Sequence, residues 1–387
     1  NSHIHTYSSS GAKQVKIYGP LKSYGNNGGN SMTYNPKITS ISSWGTLPFE
    51  DLDYALYYAF NVSNVPNYLP STVTSIKSMF ERAKRFNGDG VVNWNTENIT
   101  DINRIFKNSQ LFNQNIADWN TGNVTDMTNA FYSCENFNQD ISNWDVGNVT
   151  HFNGIFYENK VFDQDLSSWN MVSAQDINSM FNGATIFNNG GQPLNWDEKL
   201  SNVTNINGIF SRTSLFNQPI GNWNTSNITN IKYIFDRATA FNQNIGGWDT
   251  SSVIEADAAF RGASAFNQDL SNWDITNINS ASEMFSGSGQ NSANAEATNA
   301  SWQTQDSSSP AAPESERSIP GEPMIINIDL DLPNTYSQTN NDWGFIHQAI
   351  PGNLPSNISD GNFTVDWGDG VKETYTDNTQ ARTRMHT

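Results

Sequence analysis

At 387 residues the chain is long enough for two or three domains. A formal charge of −18 argues against nucleic acid, which rewards clustered Lys and Arg, and suits a soluble, self-repelling surface protein. The single cysteine excludes an intrachain disulfide, and no apolar run reaches membrane-spanning length.

Residues 1–19 open with His5-Thr6-Tyr7 and continue into the strand-like run Lys13-Gln14-Val15-Lys16-Ile17-Tyr18. The first residue is Asn, the mark of a processed chain or a piece of something longer, so a missing signal peptide carries little weight. Residues 20–66 read as a degenerate first coil. Ile38, Ile41 and Trp44 precede an aromatic, helix-like run from Leu52 to Phe60, which predicts an N-terminal cap over the open end of a repeat array.

Residues 67–285 are periodic. Tryptophans fall at 94, 119, 144, 169, 196, 223, 248 and 273, at intervals of 25 or 27. One phenylalanine ladder runs through 80, 106, 131, 156, 181, 210, 235, 260 and 285, and a second through 86, 112, 137, 162, 187, 216, 241 and 266. Only 36% of residues are hydrophobic, while Phe numbers 22 and Trp 12, so the core leans on aromatics. Within one unit, Met127, Phe131, Cys134 and Phe137 have the spacing of one face of a short helix, with Thr125 or Asp126 as N-cap. Asn123-Val124-Thr125 is a strand too short to stand alone, Asn138-Gln139-Asp140 turns the chain, and Ile141 and Trp144 point back inward. One such coil cannot bury its apolar face; a stack can. The two longer units between Trp169 and Trp223 hold Gly190-Gly191 and Glu198-Lys199 as insertions that bulge or bend the stack.

Particular residues follow the same frame. Cys134 shares a small slot with Ala83, Ser109, Ala184, Ala238 and Ala263, and reads as a buried inert thiol. His151, in the following unit, reads as solvated or packed. Asn98, Asn123, Asn148, Asn227 and Asn277 recur four residues after Trp; a ladder of amides bonding the neighbouring backbone is favoured over glycosylation. Asp145, Asp249 and Asp274 repeat at turns, where turn duty explains them, and no paired carboxylates or other catalytic constellation stand out.

The motif FNQDISNWDVGNVT, from Phe137 to Thr150, resembles the 25-residue repeat of BspA-like and Mycoplasma lipoprotein-like bacterial surface proteins. The resemblance covers roughly residues 67–285. It implies an α/β repeat solenoid of leucine-rich-repeat-like coils, each a short strand plus a short helix, on a cell or virion surface. It also implies a link to adhesion and no catalytic residues.

Beyond Phe285 the composition turns to Ser, Ala, Gly, Asn and Pro, and 286–323 reads as a flexible linker. Residues 324–387 change to period two: Met324–Asp331 alternates as a strand, and Phe363–Trp367 and Val371–Tyr375 flank Gly368-Asp369-Gly370 as a hairpin. VDWGDG is similar to the hairpin of PKD-like extracellular β-sandwiches. Asp366 and Asp369 are candidate calcium ligands, with shaping of the turn as the alternative reading; no other cofactor is expected. In PKD-like modules a His-Thr-Tyr segment and a last strand follow this hairpin. The chain closes on His386-Thr387, so 1–19 look like the missing back half of 324–387, a small β-sandwich split between the two termini. Tandem repetition in a longer polypeptide, head-to-tail assembly of separate subunits, or return of the chain onto itself would each complete it.

The reading that results is an extracellular structural protein, one unit of a head-to-tail filament, fibre or stalk, whose partners are other copies of itself. The alternative is an adhesin or receptor- or glycan-binding fibre module, with a host or cell-surface protein or glycan as partner and Tyr132 and Tyr157 as contact candidates. Neither reading requires nucleic acid, membrane insertion or enzymatic activity.

Overall fold

The computed structural model describes residues 37–46 and 48–305, together with the backbone of 363–366 and 372–375. Residues 37–305 form a solenoid. Ten residues, Asp51, Ser75, Asp101, Asp126, His151, Asp176, Asn205, Asn230, Glu255 and Ser280, pair in sequence through single parallel bridges, so each coil sits in register on the next. The expected short strand therefore shrinks to one bridge residue, just after Asn123-Val124-Thr125 and its counterparts.

The expected short helices are absent from the coils, and the hydrogen bonds show why. In the unit from Met127 to Cys134, alternate N–H groups close tight turns within the coil: Ala130 donates to Met127, Tyr132 to Asn129 and Cys134 to Phe131, at 3.1–3.2 Å. The others donate to the next coil: Met127 to His151, Asn129 to Asn153, Phe131 to Ile155 and Ser133 to Tyr157, at 2.7–2.9 Å. An α-helix would satisfy all these N–H groups internally and leave nothing to bind the stack. Turning every second peptide outward requires left-handed backbone at two positions four residues apart, here Asn129 (φ 56°) and Ser133 (φ 50°). Glycine takes the equivalent place at Gly154, where an added Cβ would lie 2.6 Å from the Asn129 Oδ1. The linked turns still point residues 127, 130, 131 and 134 inward, which is the spacing that mimics a helix.

All three aromatic ladders are buried columns. Rings of the first phenylalanine ladder stack at 5.2–5.9 Å and those of the second at 5.8–6.2 Å. Each indole from Trp94 to Trp273 donates its Nε1–H to a carbonyl of the preceding coil, as Trp144 does to Ile116 at 3.1 Å, so no buried N–H in this column is orphaned. The two insertions are absorbed as short 3-10 turns, Asn189–Gly191 and Asp197–Leu200.

The ends differ from expectation. Ile38 and Ile41 pack half-buried on the core and Trp44 is buried, as a cap requires. Residues 52–60, however, are a regular coil whose N–H groups bond the next one like any other, so 20–66 is not a degenerate cap throughout. At the other end the expected linker 286–323 starts with structure. Helix α1 (Ser292–Gln305) lies on the last coil, with Ala295, Thr298 and Trp302 buried. Trp302 packs 5.9 Å from Phe285 and donates to Leu270 at 3.2 Å, so it continues the indole column by one place. A composition that seems to have little to bury needs only these residues to close the stack.

In a separate unit, strands β1 (Phe363–Asp366) and β2 (Lys372–Tyr375) pair antiparallel, with Phe363 opposite Tyr375 and Asp366 opposite Lys372, as the hairpin reading requires. The expectations for residues 1–19, for the strand 324–331 and for the split sandwich lie outside the described residues.

Candidate binding face

Ladder residues point inward, so any site must use the positions that point out. In each coil four of them lie on the turn ribbon: in one coil Thr128, Asn129, Tyr132 and Ser133, and so on through all ten. These forty positions are a small part of residues 37–305, yet they hold six of the seven tyrosines there: Tyr54, Tyr57, Tyr58, Tyr132, Tyr157 and Tyr233. They also hold eight of the thirteen Lys and Arg: Lys77, Arg82, Arg104, Lys107, Arg212, Lys232, Arg237 and Arg261. Residues 37–305 carry thirteen cations and twenty-six acids, a net of −13; the ribbon carries eight cations and six acids, a net of +2, leaving −15 elsewhere. The acidic solenoid thus has one face where positive charge and tyrosine concentrate.

Cations and rings are built together on this face. The Arg82 guanidinium lies 4.8 Å from the Tyr58 ring centre and donates to the Tyr58 hydroxyl. The Lys107 ammonium lies 4.6 Å from the Tyr132 ring, whose other neighbour, Tyr157, stacks at 4.5 Å and 4°. Arg261 lies 5.5 Å from Tyr233. Tyr132 and Tyr157, the expected sugar contacts, therefore cover one face of each other, and Lys107 lies over the Tyr132 ring as well. Burial raises the Tyr132 phenol, with Tyr157 and Glu158 adding to it.

The cations of the face differ in their partners. Toward the C-terminal end two cations are paired, Lys232 with Asp257 at 2.9 Å and Arg261 with Asp236 at 2.8 Å and Glu283 at 2.9 Å, while Arg212 and Arg237 have no ion pair among the described residues. Hydrogen bonds from Ser280, Lys232 and Ser282 hold the Asp257 carboxyl below its ordinary range against the opposing effect of burial. Toward the N-terminal end Arg82, Arg104 and Lys107 have no ion pair among the described residues. Burial pushes the Lys107 ammonium down, with Arg104 and Arg82 adding to the shift and Glu81 opposing it.

The other candidates resolve into structural roles or fall outside the description. Cys134 is fully buried, its Sγ donates to the Phe106 carbonyl at 2.8 Å, and burial drives the thiol pKa upward. His151 is exposed in the bridge column, with its Nδ1 2.7 Å from the Thr150 hydroxyl. The amides of Asn98, Asn123, Asn148, Asn227 and Asn277 each donate to a carbonyl of the preceding coil at 2.7–3.0 Å, forming the expected ladder. Asp145, Asp249 and Asp274 each accept the N–H two residues on, which is turn duty. Asp366 closes β1, where only its backbone is described, and Asp369 lies outside the described residues. Among the described residues no group of His, Cys, Asp and Glu is arranged to hold a metal. A cleft of about 390 Å³ beside the insertions is lined by Pro193, Asn195, Pro219 and Gln243, with Asp197 as its one carboxylate.

Two features escaped the sequence reading. A second amide ladder runs through the Asn of each FNQ motif: Asn138 N–H donates to the Asn113 side chain, and Asn242 and Asn267 repeat the bond one coil apart. The repeated motif itself was the available signal. The Tyr–cation face had no such signal, because Lys, Arg and Tyr interchange there from coil to coil.

The family model described as "Mycoplasma protein of unknown function, DUF285" matches residues 31–92, 74–196 and 192–299. A comparison with curated proteins found no match. Among solved structures, a leucine-rich repeat protein from Eubacterium ventriosum is similar at 14% identity and a TM-score of 0.33, over 70% of this chain and 81% of that one.

Proposed function

The chain belongs to the DUF285 family, and from that premise we propose that it is an extracellular structural surface protein, one unit of a head-to-tail filament or stalk. One observation carries the reading: inter-coil hydrogen bonds run from residue 52 to residue 286 and aromatic columns from Phe80 to Phe285, which supports a rod rather than a cradle for chemistry. Helix α1 covers the C-terminal end of that rod. Growth by stacking coil on coil is therefore blocked at this end, and a joint between units falls to the flanking segments, among them the β1–β2 hairpin. Residues 1–19 of the next unit are the completing strand in this proposal. No helix among the described residues is long and apolar enough to cross a membrane. The role assigns no catalytic residue.

The test is assembly. Purified chain should form linear oligomers by sedimentation and electron microscopy, and removal of residues 1–19 should leave monomers. Monodisperse monomers at every concentration, from a reading frame that encodes a single unit, would overturn the filament. The second reading, an adhesin or glycan-binding module, is favoured by the Tyr–cation face, and intact-cell labelling tests the surface placement both readings share.

A further inference from the structure

We propose that Arg82, Arg104 and Lys107 form a binding site for an acidic polysaccharide lying along the ribbon face. The three are neighbours by backbone bonds: Arg82 N–H donates to the Lys107 carbonyl at 2.7 Å, and Lys107 N–H donates to the Arg104 carbonyl at 3.1 Å. No described carboxylate pairs with any of them, whereas Lys232 and Arg261 on the same face are closed by acids. The Nε atoms of Arg82 and Arg104 are buried without a hydrogen-bond partner, while both side chains remain partly exposed.

The backbone shows that these positions are not fixed by stacking. Arg82 (φ 62°) and Arg104 (φ 56°) occupy left-handed positions that Gly154, Gly183, Gly208, Gly262 and Gly287 fill in other coils. Holding a side chain there costs on the order of 1 kcal/mol per residue. Side chains such as Asn129, Ser133 and Glu158 fill the same positions in other coils, so the fold accepts these arginines but does not ask for their length or charge.

The ligand class follows from what the face offers. Tyr58 is covered by Arg82, and Tyr132 by Lys107 and Tyr157. Neutral sugars recognised by stacking would need free ring faces; here cations are held against the rings, which suits a chain bearing both carboxylate or sulfate groups and hydroxyls. Two adjacent coils offer positive groups, Arg82 in one and Arg104 and Lys107 in the next, at roughly the 4.8 Å spacing of paired strands, comparable to the length of one sugar unit. Duplex nucleic acid, with one charge per about 1.7 Å, would press a far denser charge against the −15 carried by the rest of the solenoid. Lys84 and Arg85, exposed next to Arg82, extend the positive end.

This inference deepens the second reading above and rests on it, but its test does not depend on assembly or surface labelling. Purified full chain is titrated by calorimetry at low salt with polygalacturonate, dextran sulfate and neutral dextran. Binding to one or both of the charged polymers, weakening with salt, and none to dextran are expected; the two charged arms separate carboxylate from sulfate recognition. R104Q/K107Q should bind roughly ten-fold or more weakly, while K160Q, which removes a charge off the ribbon, should bind as the parent does. R104G suits the left-handed backbone, so weaker binding with an unchanged melting temperature supports a role beyond folding. Equal binding to neutral dextran, no binding to either charged polymer, or unchanged affinity in R104Q/K107Q overturns the site. Tighter binding to duplex DNA or polyglutamate than to either polysaccharide overturns the ligand class. Failure here with surface labelling intact would leave the surface reading standing.

Discussion

Phe131→Ala tests whether the stack is one cooperative body held by its aromatic columns. The ring is fully buried and has four aromatic neighbours: Phe137 at 4.0 Å in its own coil, Phe106 and Phe156 at 5.8 Å in the coils on either side, and Trp144 at 5.9 Å. A buried Phe→Ala change costs about 3–5 kcal/mol, and losing several ring contacts of about 0.5–1.5 kcal/mol each places this site toward the upper end. Since each coil contacts only its neighbours, the weakness falls in mid-array and lets the two halves uncouple. Urea unfolding followed by tryptophan fluorescence should show a lower midpoint and a shallower or biphasic transition, because each half exposes less surface than the whole. Phe285→Ala is the control: that ring sits at the end of the column, slightly exposed, with Phe260 at 5.2 Å and Trp302 at 5.9 Å as its ring partners. It should cost less and leave a single transition. A loss below about 1 kcal/mol for Phe131→Ala, or equal effects at both sites, would refute nearest-neighbour stacking as the source of stability.

Other expectations are as direct. Trp302→Ala should lower the melting temperature and promote self-association, read by sedimentation, because it loosens α1 and uncovers Phe285 and the carbonyl of Leu270; an unchanged monomer would show that α1 is no cap. Cys134 should resist a thiol reagent until urea is added, and Cys134→Ser should cost less than about 1.5 kcal/mol, since Ser109 in the same slot makes the same bond to a carbonyl, that of Phe80, at 2.5 Å. Fast labelling of the native protein would contradict that burial. Burial, with Asp126 and Asp53 adding to it and the Asn103 N–H and Lys77 opposing, holds the Asp101 carboxyl above its ordinary range. A folded pKa above the unfolded one means that Asp101 contributes stability at low pH and loses it as pH rises through the folded value. Asp101→Asn keeps the acceptor, as Asn205 and Asn230 do in that column, so it should raise the melting temperature at pH 7 and give a fading gain as pH falls. A gain that grows toward acid would reverse the sign and defeat the argument.

How far the fold could be read in advance depends on which physical constraint each residue records. Trp119, Phe131 and Phe137 announce themselves because stacking demands the same ring at the same place in every coil, and Asn123 because its amide must reach the carbonyl of Glu97 one coil back. Met127, Phe131 and Cys134 record only that they point inward. Their spacing is silent about where the N–H of Asn129 goes, and that one choice separates a helix from a ribbon of turns. Asn129, Ser133 and Glu158 give no warning of left-handed backbone, since the inter-coil bonds at 2.7–2.8 Å that impose it are tertiary. α1 was hidden because Trp302 follows Trp273 by more than the repeat interval, in a segment whose remaining residues favour no packed state by composition.

The binding face was illegible for the opposite reason. Stacking fixes position 131 and its equivalents, but it leaves 132 free, and the column there reads Lys107, Tyr132, Tyr157, Asn182 in successive coils. A ladder search discards such a column as noise. In three dimensions the variation has content, because Lys232 and Arg261 are closed by acids while Arg82, Arg104 and Lys107 stand together without an ion pair among the described residues. The left-handed positions show the same freedom, since Arg82, Arg104, Arg212 and Arg237 stand where other coils place Ser133, Glu158 or Gly183. In a repeat protein of this kind, the residues that build the scaffold repeat, and those that answer to a partner are the ones the repeat does not explain.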